Sequence, residues 1–163
     1  MKLSAGTLLA LLFFSVFSMQ AQEAPAREEI FIAPYAETLF YSPEGLSYGG
    51  GLSLGYGSGT ALGLRLLYAG DPEGHGALEI LVFYRFYLGA QGVRSGPFIQ
   101  LMGGPVLFVY ESLATLREGV GTLSAGLLAG WRIPLQEAWY VEPSLRAGYP
   151  YIAGLSVSFG RRL

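Results

Sequence analysis

Apolar side chains recur at every second position through much of the chain, and this period is the feature that most restricts its fold. From 46 to 56, the even positions are mostly Leu or Tyr, whereas the odd positions are Gly or Ser. Similar alternation is present in 78–88, 123–133 and 139–149. A period of two is typical of a β-strand whose two faces meet different surroundings. The sequence therefore predicts an all-β chain with one apolar face and one face rich in small residues.

Short breaks rich in Gly, Pro and Ser separate the alternating segments. Seven breaks lie at 42–45, 57–60, 70–76, 89–96, 111–119, 134–138 and 148–151. They leave eight predicted strands, at 30–41, 46–56, 61–69, 77–88, 97–110, 120–133, 139–148 and 151–161. Because no break is long enough for a helical crossover, neighbouring strands must be antiparallel. The sequence GGP at 103–105 predicts a bulge or a bend in the fifth strand, since proline cannot donate a hydrogen bond to a neighbour.

The composition of the two faces indicates which one meets lipid. Only 13% of the 163 residues are charged, 24 are Gly, and no Lys follows Lys2. A face of Gly, Ser and Ala is a poor surface towards water, but it fits the crowded interior of a narrow barrel. The apolar face then fits a bilayer. We therefore predict an eight-stranded antiparallel up-and-down transmembrane β-barrel at 30–163, with a soluble lipocalin-like barrel as the alternative fold.

Composition also excludes several classes of function. The absence of Cys removes disulfides, thiol nucleophiles and a lipid anchor on cysteine. The net charge of −2 and the lack of a basic run give no reason to expect a nucleic-acid partner. The Gly-rich segment 49–59 lacks the Lys-Ser/Thr pair of a phosphate-binding loop. We expect no cofactor and no bound metal.

The N-terminus has the pattern of a secretory signal peptide. Lys2 precedes an apolar stretch at 5–18, which is shorter than the roughly 20 residues of a spanning helix. Cleavage after Ala21 would leave a polar lead-in at 22–29 before the barrel. A membrane anchor or a buried helix is the alternative. We expect 1–21 to be a signal peptide that directs export.

Aromatic residues on the apolar face are spaced to meet both boundaries of a membrane. Trp139 and Tyr149 lie on one face, and at about 3.3 Å per residue and a tilt near 40° they are about 25 Å apart along the barrel axis. This distance matches the apolar band of an outer-membrane barrel. A general preference of aromatic residues for strands is the alternative explanation. The predicted aromatic girdle consists of Tyr48, Tyr56, Trp131, Trp139 and Tyr149.

The last strand has the most specific pattern in the chain. Gly154 is followed by the alternating residues Leu155, Val157 and Phe159. This resembles the terminal-strand assembly signal of bacterial outer-membrane barrels, although Ile152 replaces a polar residue and GRRL follows the aromatic residue. Together with the signal peptide and the eight strands, it resembles the small barrels of the OmpA-transmembrane, OmpX and OmpW type.

The resemblance implies a location and a set of partners. The chain is expected in the outer membrane of a diderm bacterium, surrounded by the lipid bilayer. Periplasmic chaperones and the barrel-assembly machinery are the expected partners on the way there. In such barrels, both termini face the periplasm, so 42–45, 70–76, 111–119 and 148–151 would be external. These loops are short, which disfavours a large adhesive surface. They carry a net charge of −4 with Arg117 as their only cation, so we expect no cationic clamp for lipopolysaccharide phosphates.

Seven charged residues share the inner face by parity. They are Glu37, Arg65, Glu79, Arg85, Arg132, Glu142 and Arg146, and Gln100 is a further polar candidate. Charges inside a narrow barrel must be paired or hydrated. We expect an Arg/Glu network that plugs the lumen, with a gate or a narrow ion path as the alternative. We also expect Arg85 and Glu79 to be partners whose charges can be exchanged.

Three functions follow from these residues. The first is a non-enzymatic structural or surface-interaction role. The second is a narrow pore or a transporter for small or hydrophobic solutes. The third is a lipid-modifying barrel such as a lipid A acylase or deacylase, in which His75 would act with an acidic residue and a serine from another loop. A single histidine beside Asp71 and Glu73 in a Gly-rich loop is more often a solvated turn residue, so no catalytic residue is assigned.

Overall fold

Eight antiparallel strands close into a barrel in the computed structural model, which describes residues 28–41, 45–72, 74–89, 91–110 and 118–163. The strands are β1 (Glu29–Tyr41), β2 (Gly45–Gly57), β3 (Thr60–Gly70), β4 (Gly76–Tyr87), β5 (Gly96–Tyr110), β6 (Glu118–Pro134), β7 (Trp139–Tyr149) and β8 (Ala153–Arg162). Each strand pairs with its neighbours in the chain, and β8 pairs with β1. The predicted fold and all eight strands are confirmed. The predicted signal peptide and 22–27 lie outside the described residues.

The strand registers determine the tilt of the barrel. A path across the pairs leads from Ile30 through Tyr56, Leu62, Tyr84, Leu101, Leu127, Ala147 and Ala153 to Phe40. One circuit therefore returns to β1 ten residues further on, which corresponds to a strand tilt of about 40°. Each residue then advances by about 2.5 Å along the barrel axis. No helix in the described part of the chain is long and apolar enough to cross a membrane.

Aromatic rings pack against inner glycines in the interior of the barrel, a pairing that the sequence analysis did not predict. Five inward aromatic residues each pair with a glycine on the neighbouring strand. These pairs are Phe31–Gly55, Tyr35–Gly51, Phe83–Gly63, Phe98–Gly130 and Tyr140–Gly160. A Cβ atom at any of these glycines would lie 2.2–2.7 Å from the ring of its partner. The inner glycines therefore provide the space into which the rings pack.

Three outward-facing prolines interrupt strand pairing without changing the register. Pro34, Pro105 and Pro143 each lie where one ladder is broken, while the ladder on the other side of the same strand continues. Proline has no N–H to donate, which accounts for the interruption on one side only. The register between β4 and β5 is the same on both sides of Pro105. No extra residue is inserted there, so of the two predicted alternatives at 103–105 the bulge is wrong, and the bend stays a prediction.

The outer face is apolar along the height of the barrel. On β3, Leu62, Leu64, Leu66 and Tyr68 point outward and are 44–63% exposed. The inward residues of the same strand, such as Arg65 and Leu67, are buried. A soluble barrel has the opposite distribution, because a continuous apolar outer surface is unfavourable in water. The distribution fits a bilayer around the barrel, and the lipocalin-like alternative is wrong.

Candidate functional site

The seven inward charged residues and Gln100 form two clusters, which lie at different heights in the barrel. The base is defined as the end where β1 begins and β8 ends, and the top is the opposite end. The base cluster consists of Arg85, Gln100, Arg132 and Glu142. The upper cluster consists of Glu37, Arg65, Glu79 and Arg146. All eight residues are at most 4% exposed.

The Glu142 carboxylate accepts hydrogen bonds from both arginines of the base cluster. Glu142 Oε1 accepts hydrogen bonds from Arg85 Nη1 at 2.8 Å and from Arg132 Nε at 2.6 Å. Its Oε2 accepts a hydrogen bond from Ser158 Oγ at 3.3 Å. Arg85 Nε also donates to Gln100 Oε1 at 2.8 Å. Glu142 thereby connects β4 and β6 through the lumen, and the cluster carries one more positive than negative charge.

Aromatic rings compensate for the extra positive charge at the base. The Arg85 guanidinium carbon lies 4.0 Å from the centroid of the Phe98 ring. The Arg132 guanidinium carbon lies 3.8 Å from the Tyr140 centroid and 4.5 Å from the Phe31 centroid. A ring face attracts a cation, and this attraction is strongest where water is excluded. The two arginines are thus held by rings as well as by one carboxylate.

The upper cluster contains three ion pairs, two of which are hydrogen-bonded. Arg146 forms a bidentate salt bridge with Glu79, with Nη1–Oε2 and Nη2–Oε1 distances of 2.7 Å and 3.0 Å. Arg65 Nη2 donates to Glu37 Oε2 at 2.7 Å, and its guanidinium carbon lies 3.8 Å from the Tyr35 ring centroid. Arg146 Nη1 lies 3.9 Å from the same Glu37 oxygen. Four strands, β1, β3, β4 and β7, therefore contribute to one network.

The observed partners differ from the sequence-based pairing. Arg85 and Glu79 are not partners, because Arg85 bonds to Glu142 and Glu79 bonds to Arg146. Parity along a strand shows only which face a residue occupies. The partner depends on which strands face each other across the lumen and on the heights of the two side chains. The expected exchange of charge between Arg85 and Glu79 is therefore wrong.

The turn between β4 and β5 folds under the base of the barrel. It contains a short 3₁₀ segment, Gly92–Arg94, and Val93 within it is 1% exposed among the rings of the base. The Val93 N–H donates to Ser58 O at 2.7 Å, and its carbonyl accepts from Arg132 Nη1 at 2.5 Å. The sequence analysis treated 89–96 only as one of the seven breaks between strands. The length of this segment and its apolar Val93 were the signals available in the sequence.

The predicted girdle residues all face outward and lie near the two ends of the barrel. Tyr48 and Tyr149 are near the top, whereas Tyr56, Trp131 and Trp139 are near the base. Trp139 stacks on Phe159, with ring centroids 5.1 Å apart. The predicted girdle did not include several aromatic residues on the same outer surface, namely Phe40, Tyr68, Tyr84 and Phe86.

Comparison with solved structures identifies the fold. No family model and no curated protein sequence matches the chain. The N-terminal β-barrel domain of Pseudomonas aeruginosa OprF is 20% identical, with 83% of this chain and 98% of that chain covered and a TM-score of 0.60. Neisserial surface protein A is 10% identical, with coverages of 86% and 99% and a TM-score of 0.62. Ail of Yersinia pestis, solved with the heparin analogue sucrose octasulfate, is 10% identical, with coverages of 86% and 100% and a TM-score of 0.54.

The chain has the fold of the small eight-stranded outer-membrane β-barrels. The resemblance to this group that the sequence suggested is confirmed at the level of fold. These similarities do not distinguish between its subfamilies.

The residues of the proposed assembly signal lie on β8, which closes the barrel against β1. Leu155, Val157 and Phe159 face outward, and Gly154 faces inward. A Cβ atom at Gly154 would lie 2.9 Å from the Leu39 side chain. The tail after Phe159 continues the strand, so it is part of the barrel wall. Recognition of this strand during assembly stays a prediction.

His75 is paired with an acidic residue at the top of the barrel. Its Nδ1 lies 2.8 Å from Asp71 Oδ2, and its side chain is 44% exposed. Ser124, one candidate serine partner, is buried in the barrel and donates to Tyr149 O at 3.0 Å. The other candidates, Ser42 and Ser112, lie outside the described residues, as does Glu73. Within the described residues, no group of three or more His, Cys, Asp or Glu side chains could hold a metal ion.

Proposed function

We propose that this chain is an outer-membrane β-barrel protein with a structural or surface-interaction role, and that the Arg/Glu network plugs its lumen. The barrel fold and the apolar outer face support a membrane location. The similarity to three outer-membrane barrels supports the outer membrane of a diderm bacterium. Export by a signal peptide at 1–21 and insertion by the barrel-assembly machinery are part of the same proposal.

The observation that carries the proposed plug is the combination of the base cluster and the turn beneath it. Glu142 is bonded to two arginines inside the barrel, and Arg132 is bonded in turn to the buried turn residue Val93. Removing one partner from a buried ion pair costs about 3–5 kcal/mol. A path through the base would need these contacts to break together. Such contacts favour a closed barrel over an open channel.

Conductance of the refolded protein in a planar bilayer tests the plug. We expect no steady current through the wild-type protein. The double variant Arg85→Ala/Glu142→Ala should conduct, since both side chains are removed from the lumen. Arg94→Ala, in the exposed part of the turn, is the matched control and should stay closed. A steady wild-type current that disappears when either Arg85 or Glu142 is changed would instead establish a pore.

A narrow polar path is the second candidate, and the upper cluster favours it. Glu37 Oε1, Arg65 Nε and Arg146 Nε are buried and have no hydrogen-bond partner among the residues that the structure describes. Such atoms can bind water or a small ion. The conductance experiment separates this candidate from the plug.

We also propose that the protein is not an enzyme. The Asp71–His75 pair is the feature that an acyl-transfer enzyme would need to use. We expect the His75→Ala variant and the wild-type protein to release no fatty acid from lipid A beyond the rate without protein. Release by the wild-type protein that the variant loses would establish the enzymatic alternative.

A further inference from the structure

One arginine differs from the other arginines in the described part of the chain by its surroundings. Four of the others lie in the lumen, and Arg94 and Arg162 each lie within 3.5 Å of a Glu29 carboxylate oxygen. Arg161 is exposed on the outer face of β8, in the GRRL tail that departs from the usual terminal pattern. Among the described residues, no carboxylate lies within ion-pair distance of Arg161. Its charge is therefore available to a ligand.

The Arg161 guanidinium lies beside two stacked aromatic rings, those of Trp139 and Phe159. Arg161 pairs with Trp139 across β7 and β8, and its guanidinium carbon lies 5.4 Å from the Trp139 ring centroid. Trp139 in turn stacks on Phe159, with an angle of 21° between the ring planes. A cation beside an indole is attracted by the ring, and tryptophan prefers the boundary between lipid and water. The three side chains form one outward-facing group, which we call the Arg161 group.

The height of the Arg161 group matches a headgroup layer. Arg161 is eight residues below Ala153 on β8, which corresponds to about 20 Å along the barrel axis. Between them, the outward residues Leu155, Val157 and Phe159 are apolar and exposed. The apolar band of such barrels is about 25 Å tall, and lipid phosphates lie just beyond it. Arg161 can therefore reach a phosphate while the residues above it contact acyl chains.

We propose that the Arg161 group binds the phosphate of an anionic glycerophospholipid in the leaflet at the base of the barrel. A guanidinium presents paired N–H donors to phosphate oxygens. Among the described residues, no carboxylate forms an ion pair with these donors of Arg161. Trp139 limits the directions in which the arginine can extend, and Phe159 lies where the first acyl carbons would pack. The proposal rests on the membrane location proposed above. The proposal adds to the aromatic girdle a specific lipid site, which is defined by the charge of Arg161.

Retention of lipid by the purified barrel tests the site. Wild-type protein, Arg161→Gln and the control Arg94→Gln are refolded in an uncharged detergent and mixed with phosphatidylglycerol. Bound lipid is then counted by native mass spectrometry. One arginine near a lipid surface contributes about 1 kcal/mol to lipid binding, so Arg161→Gln should bind about five-fold less phosphatidylglycerol. Arg94→Gln removes the same charge at the same end of the barrel and should bind as the wild type does.

Two further ligands define the chemistry. Diacylglycerol with the same acyl chains lacks the phosphate, and its binding should be weak and equal in all three proteins. Inorganic phosphate should not displace the bound phospholipid, because the acyl chains supply the rest of the affinity. Displacement by millimolar phosphate would show a general anion site and overturn the lipid assignment.

Folding of each variant is checked by gel mobility without and with boiling. If the wild type shows no heat-dependent shift and stays soluble without detergent, the proposed membrane function is wrong. If all three proteins fold and Arg161→Gln retains as much phosphatidylglycerol as the wild type, only the lipid site is wrong. Trp139→Leu keeps the charge and removes the ring, and weaker retention by this variant is also expected. It serves as the second test if Arg161→Gln does not fold.

Discussion

The contact between Glu79 and Arg146 allows a direct test of the cross-barrel network. The two side chains are 0% and 1% exposed, and two hydrogen bonds of 2.7 Å and 3.0 Å join them. Glu79→Gln keeps the size of the side chain and removes its charge, so that Arg146 stays buried without its main partner. Breaking a buried ion pair in this way costs about 3–5 kcal/mol. We expect Arg146→Gln to lower the free energy of unfolding by a similar amount.

A double-mutant cycle measures the part of this cost that belongs to the pair. The double variant Glu79→Gln/Arg146→Gln contains neither charge, so its cost should be smaller than the sum of the two single costs. Close charge pairs give coupling energies of about 1.5 kcal/mol or more. The four proteins would be refolded in detergent micelles and unfolded with urea, with tryptophan fluorescence as the signal. Refolding curves that overlap the unfolding curves would establish that the equilibrium has been reached.

A second cycle distinguishes the observed partner from the one expected by sequence alone. Glu79 and Arg85 lie on the same strand, about 20 Å apart along it. Substitutions at such distances are usually additive within about 0.5 kcal/mol. The Glu79/Arg85 cycle should therefore give no significant coupling. Additive costs in the Glu79/Arg146 cycle, or equal coupling in both cycles, would refute the network described here.

Three further predictions concern packing and stability. Gly55→Leu places a side chain where the Phe31 ring lies, and it should lower the free energy of unfolding by about 1–3 kcal/mol in the same urea titration. Adding Phe31→Ala should restore part of the loss, and no effect of the first substitution would contradict the packing of this pair. Gly92→Ala places a side chain at a residue whose φ angle is +54°, and its Cβ would lie 2.9 Å from Ser58 O. The left-handed backbone conformation should cost about 1–2 kcal/mol. Limited proteolysis should then cut the turn faster, whereas an unchanged rate would argue against a tightly held turn. Trp139→Leu removes the stack on Phe159 and should cost about 1 kcal/mol beyond the lost apolar area. An unchanged urea midpoint would show that the stack adds no stability.

The sequence by itself determined the strands, their number and the face on which each side chain lies. A period of two places alternate residues on opposite faces, so Arg65 and Leu66 had to point in opposite directions. The short Gly-rich breaks required antiparallel neighbours. These are local properties of a strand, and they hold whatever the rest of the chain does. The inward position of the charged residues followed from them.

Only the tertiary structure decided which of the inward residues are partners. Following the paired residues once around the barrel from Ile30 leads back to β1 at Phe40, ten residues further along the strand. This stagger sets the heights at which side chains of non-adjacent strands meet, and no local pattern contains it. It pairs Glu79 with Arg146 instead of Arg85. It also places Val93 under the base rings, because closure of the barrel is what gives that turn a surface to pack against.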